Sequence, residues 1–154
     1  MNSIPLKYID FRAATEAAIK DFPYMKHIYE SAKQEISNIE EQMAAVHSPS
    51  WDGMPKVHNN NANEERILNE MEKIDALQTR YKEAVDYMQW FLPAWTFLDE
   101  DDQYTLTEYF LTTPQERAIA RYTVAEHFSI DRSSATRKKH RAVGRLQTLL
   151  YGRR

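Results

Sequence analysis

Seven side chains, Met25, Tyr29, Ala32, Ile36, Ile39, Met43 and Val46, follow one another at alternating steps of four and three residues without a break. Only an α-helix returns such positions to one face, and a mean step of 3.5 residues is that of a seam packed along another helix. At 1.5 Å per residue the helix carrying this stripe is about 35 Å long. A matching stripe follows in Ile67, Met71, Ile74, Tyr81, Val85, Met88 and Leu92, with Gln78 in its one missing position and Leu77 beside it. Between the two, residues 47–63 lose all periodicity in Ser48-Pro49-Ser50-Trp51-Asp52-Gly53-Met54-Pro55-Lys56 and Asn59-Asn60-Asn61, a long loop from which Trp51 and Met54 can pack back. Asn63 is a good cap for the second helix. Two long helices joined by a loop predict an antiparallel hairpin. The same stripes suit a coiled-coil dimer, and periodicity does not separate the two.

The rest of the chain reads as shorter helices. Tyr8, Phe11, Thr15, Ala18, Ile19 and Phe22 fall at three- and four-residue steps over residues 7–22, a short helix that Pro23 interrupts or kinks. Pro93 marks a bend after Trp90-Phe91-Leu92, and Trp95, Phe97 and Leu98 supply bulky packing beyond it. Asp99-Glu100-Asp101-Asp102 then place carboxylates where a first helical turn presents the positive end of its dipole. Tyr104, Leu106, Tyr109, Phe110 and Leu111 continue that helix. Thr113-Pro114-Gln115-Glu116 holds an N-cap, a first-turn proline and the glutamate that closes a capping box, opening a helix that runs to about Phe128. Only three glycines punctuate 154 residues, which again favours helix. The expected class is all-α, with an acidic helical hairpin or coiled coil over residues 1–92 and a helix-turn-helix domain over residues 93–154.

Several functions are excluded by composition. The chain has no cysteine, so disulfides, iron–sulfur clusters, thiol catalysis and cysteine-bound zinc are out, and a reducing cytoplasm is the natural home. No stretch approaches eighteen uninterrupted apolar residues, and Met1-Asn2-Ser3-Ile4-Pro5 lacks a basic segment followed by an apolar one. Neither a membrane partner nor a secretion signal is expected. His27, His47, His58, His127 and His140 show no metal-ligand spacing, and the acidic run at Asp99 lacks the alternating ligands and glycine of a calcium loop. No phosphate-binding glycine loop, nucleophile elbow or catalytic carboxylate pair is present. The reading is that this is not an enzyme and takes no metal or cofactor.

The net charge of −3 conceals an asymmetry. Residues 1–113 carry 10 Lys and Arg against 20 Asp and Glu, whereas residues 114–154 carry 10 against 3. From Arg132 to the end there are eight basic residues and no acidic one, an electrostatic footprint confined to one element.

That element follows a recognisable local pattern. Tyr122-Thr123-Val124-Ala125-Glu126-His127-Phe128 ends a helix, Ser129-Ile130 is a short turn with an apolar plug, and Asp131 can cap the next helix. In that helix Ala135, Ala142, Val143, Leu146 and Leu150 form an inward stripe, leaving a cationic, polar face. Such a helix suits the major groove of double-stranded DNA, its first turns approaching base edges. Arg132, Ser133, Thr136 and Arg137 are therefore candidate base readers. Lys138, Lys139, Arg141 and Arg145, further along, are candidates for phosphate.

Residues 98–146 resemble the fourth conserved region of bacterial sigma factors, in Leu98-Asp99-Glu100-Asp101-Asp102, in Val124-Ala125-Glu126-His127-Phe128, and in Arg141-Ala142-Val143 followed by Leu146. With Trp90, Pro93-Ala94-Trp95, the Asp52-Gly53-Met54-Pro55-Lys56 loop and the Leu149-Leu150-Tyr151-Gly152 ending, the chain resembles more closely the sigma-like transcriptional regulators of Gram-positive bacteriophages, the RinA and ArpU type. The resemblance implies promoter binding by the helix that starts at Arg132, and control of late or packaging genes in a bacterial host cell. RNA polymerase and a second copy of the chain are its candidate further partners. Lys138 departs from the pattern, since sigma factors usually place an apolar residue there, and the polymerase-gripping, promoter-melting region of a full sigma factor is not recognisable. Two alternatives share the pattern: a phage small terminase subunit, which joins such a motif to oligomerisation helices, and a helical adaptor that binds no DNA.

Overall fold

The computed structural model describes residues 9–47 and 60–152, with the backbone alone at 46–47 and 60–63. All regular structure among these residues is helical: α1 Phe11–His47, α2 Asn60–Phe97, α3 Glu100–Phe110, α4 Pro114–His127 and α5 Arg132–Tyr151. No helix among them is long and apolar enough to cross a membrane. The tip of the expected loop, with Trp51 and Met54, lies outside the described residues.

Pro23, expected to interrupt or kink its helix, and Pro93, expected to mark a bend, both lie inside continuous helices. Pro23 sits within α1 and Pro93 within α2. Each forfeits one backbone hydrogen bond and strains the preceding turn, at a cost of about 3 kcal/mol. The helix persists because completely buried side chains anchor the turns before both prolines, Ile19 in α1 and Phe91 in α2. The start of α1 is fixed by Asp10, whose Oδ1 accepts from the backbone N–H groups of Arg12 and Ala13 at 3.0 Å each. α2 begins at Asn60, three residues before the expected Asn63.

Two compact units divide the chain, one being Met25–Asp86 and the other the described residues through Tyr24 together with those from Tyr87 onward. The division therefore falls at 86/87 rather than at the 92/93 expected from the sequence. The physical reason is the aromatic core of the second unit, which draws in the first turns of α1 and the last turns of α2. Phe22 lies 5.1 Å from Phe91 and 5.7 Å from Trp95, and Tyr87 stacks on Phe91 at 5.1 Å. The Tyr87 hydroxyl donates to the Ala18 carbonyl at 2.6 Å, and burial, helped by Asp21 and Tyr151, pushes its pKa well above the ordinary phenol value. Leu106, Val143 and Leu146 complete this core from α3 and α5. Trp95 and Leu98 pack as expected, whereas Phe97 is 78% exposed, because the inward face of α2 runs through Phe91, Ala94 and Leu98 and leaves Phe97 outside it.

In the unit Met25–Asp86, α1 and α2 pack against each other. Tyr29 stacks on Tyr81 with ring centres 6.2 Å apart, and Ala32 and Ala84 are buried. The other seam residues of this unit with described side chains are half-buried or exposed.

Caps set the remaining helices, those of α4 and α5 as the sequence predicts. Asp99 Oδ1 accepts from the Asp102 N–H at 2.8 Å and opens α3. Thr113 and Glu116 close a reciprocal capping box on α4, with Pro114 at its start. These bonds, to the Thr113 backbone first and its hydroxyl second, hold the Glu116 carboxyl below the usual glutamate range.

Candidate nucleic-acid interface

The turn between α4 and α5 decides how α5 is presented. α4 closes at Phe128, whose N–H donates to the Val124 carbonyl, and Ser129 follows in the left-handed region at φ +51°. A non-glycine residue pays about 1–2 kcal/mol for that conformation. The reversal it makes lets the Ile130 N–H donate to the Ala125 carbonyl at 2.9 Å and packs the Ile130 side chain against the cluster of Val124, Ala125 and Ala135. Asp131 then caps α5, accepting from the Ser134 N–H at 3.0 Å and from its hydroxyl at 3.0 Å. Those bonds, the hydroxyl first and then the backbone, with Arg137 adding a favourable charge, hold the Asp131 carboxyl below the usual aspartate range.

α5 has 20 residues, and Ala135, Ala142, Val143 and Leu146 are buried along one side of it. The opposite side is reached by steps of four, three and four through Ser133, Arg137, His140 and Gly144, with Arg141 beside them. Ser133, Arg137, His140 and Arg141 are all exposed. Arg137 Nη2 donates to Ser134 Oγ at 2.8 Å and lies 3.8 Å from the Asp131 carboxylate, so the cap also steadies this guanidinium. A Cβ built on Gly144 meets nothing within 4 Å, so the backbone there faces open space.

The candidate base readers do not share one face. Ser133 and Arg137 lie on the outward line. Arg132 turns toward α4 and places its guanidinium 4.6 Å from the centre of the Tyr122 ring. Thr136 is half-buried, and its hydroxyl donates to the Arg132 carbonyl at 3.2 Å.

The candidate phosphate ligands divide more sharply. Lys138 and Arg145 lie on the flank of α5 that faces α3 and use their charges inside the protein. Lys138 Nζ is 3.3 Å from Asp101 and 4.1 Å from the centre of the Phe128 ring. Arg145 bonds Asp102 and lies 3.4 Å from Asp99. Asp102 is only 1% exposed, so the Arg145 guanidinium is the counter-charge of a buried carboxylate. Lys139 lies over the Tyr109 and Phe110 rings, 5.1 and 5.9 Å from their centres. Of the four, Arg141 alone extends from the outward side.

Sequence reasoning therefore passed over two contributors: Tyr122 as a platform for Arg132, and the acidic first turn of α3 as the partner of the basic helix. His140 was legible, since it stands three residues after Arg137 and four before Gly144. The α3 pairings were not, because they join residues 37 to 46 positions apart. Compared with protein families, with characterised proteins and with solved structures, the chain finds no match in any of the three.

Proposed function

We propose that the protein is a sequence-specific DNA-binding regulator of transcription that reads double-stranded DNA with α5. The supporting observation is the outward line of Ser133, Arg137 and His140, flanked by Arg141, on a capped helix that contains no acidic residue. A major groove admits a helix of this kind, and its base edges offer acceptors to arginine and to a serine hydroxyl. The open backbone at Gly144 favours close approach along the same line. The resemblance of residues 98–146 to sigma region four supports the same reading, and extends it to promoters of phage late or packaging genes, with RNA polymerase as the partner of activation.

Selection from a random duplex library tests the proposal. A consensus should emerge, and binding to it should weaken steeply with salt. Arg137→Ala should reduce affinity for the consensus more than for random duplex, whereas Arg141→Ala should reduce both alike. No enrichment, or binding indifferent to salt, would reject the reading.

A further inference from the structure

Two helices alone cannot enclose a seam. In the unit Met25–Asp86 the two helices meet along one line, and on one side of it they leave an open groove lined by Glu40, Met43, Met71, Ile74 and Asp75. Its volume is about 310 Å³. Steps of four, three and four place Glu64, Leu68, Met71 and Asp75 in one line along α2, and Leu68 and Met71 are 60% and 51% exposed. The floor is thus apolar and rich in methionine, a side chain that adapts to differently shaped apolar partners. Carboxylates stand at its rim.

Charge says what such a groove can hold. Residues 35–45 and 64–75 together contain eight acidic side chains and two basic ones, Arg66 and Lys73. Arg66 is already within 3.6 Å of Glu70. Nucleic acid and anionic lipid are repelled by this field, and a second copy of the same hairpin would bring eight further carboxylates against it. We propose that the groove is a docking site for a basic amphipathic helix of another protein, whose apolar face lies on Met71, Met43 and Leu68 and whose lysines or arginines pair with Glu40 and Asp75. This surface is independent of α5, and its assignment does not depend on DNA binding.

The probe is a labelled synthetic eighteen-residue Lys/Leu peptide with helical apolar spacing, titrated into the full-length protein and followed by fluorescence anisotropy. Two control peptides accompany it, one of the same composition with the spacing scrambled, and one with Glu in place of Lys. The amphipathic Lys/Leu peptide should bind at least ten times more tightly than either control. Leu68→Ser with Met71→Ser should weaken it at least tenfold, and so should Glu40→Gln with Asp75→Asn. All four residues lie at the rim or are exposed, so circular dichroism and Tm should stay at wild-type values. Equal binding of the scrambled peptide would reduce the effect to bulk charge and overturn the proposal. Unchanged affinity in the Leu68/Met71 variant would also overturn it. So would a dimer, detected by light scattering, that the same variant dissolves, because the occupant would then be a second copy.

Discussion

Tyr122 and Arg132 stand on different helices, and only the tight turn through Ser129 brings them to 4.6 Å. Held over a ring, a guanidinium loses little further freedom on meeting a base or phosphate, and an exposed contact of this kind contributes about 0.5–1 kcal/mol. If the stack positions Arg132 for recognition, Tyr122→Ala should lower the ratio of specific to random-sequence affinity about two- to fivefold, and Tyr122→Phe should retain it. Equal loss for both variants would show that the ring is not the working part. Asp131 acts one residue earlier and titrates. Its carboxyl pKa is depressed in the folded protein, so its stabilisation is complete above the ordinary value of 3.8 and disappears as pH falls through the lower folded value. The Tm of the native protein should therefore exceed that of Asp131→Ala at neutral pH and converge on it in acid. A gap that persists at pH 2 would assign the cap's effect to something other than the charged carboxylate.

At the scale of elements, the basic character of α5 does two jobs that its sequence does not distinguish. Arg145 compensates a buried carboxylate, while Arg141 points outward. Arg145→Ala leaves Asp102 without its counter-charge and should destabilise the protein by about 1–3 kcal/mol. Arg141→Ala should leave Tm within experimental error and weaken DNA binding instead. Thermal melts and DNA titrations on the two variants check this, and a stable Arg145→Ala with lost DNA affinity would return Arg145 to the phosphate contacts. The same contrast shows how far the sequence was legible. Stripes, caps and turns are local, so the two long helices, the Thr113 and Asp131 caps and the buried line Ala135–Ala142–Leu146 could all be read from spacing. The continuity of α1 through Pro23 and of α2 through Pro93 could not, because it depends on burial supplied by distant segments. Nor could the fate of Lys138 and Arg145, since charge is visible in a sequence and its partner across the fold is not.

At the scale of the molecule, net charge is a poor guide, because the unit Met25–Asp86 and the rest differ in sign. Residues 25–86 carry seven basic and twelve acidic side chains, and the remainder carries thirteen basic and eleven acidic. The unit that carries α5 is thus only weakly positive overall, since the acidic turn of α3 offsets much of α5. An effect of the hairpin's charge that acts through solvent is screened over about 8 Å at physiological ionic strength and over about 30 Å at 0.01 M salt. Replacing the exposed Glu35, Glu41, Glu64 and Glu65 with Gln should therefore raise affinity for random duplex several-fold at 0.01 M salt and hardly at all at 0.15 M. Specificity should not change, because none of these side chains belongs to the unit that carries α5. Were the consensus itself to shift in this variant, the hairpin would have to touch the bases, and the proposed separation of an acidic partner-binding unit from a basic DNA-reading face would fail.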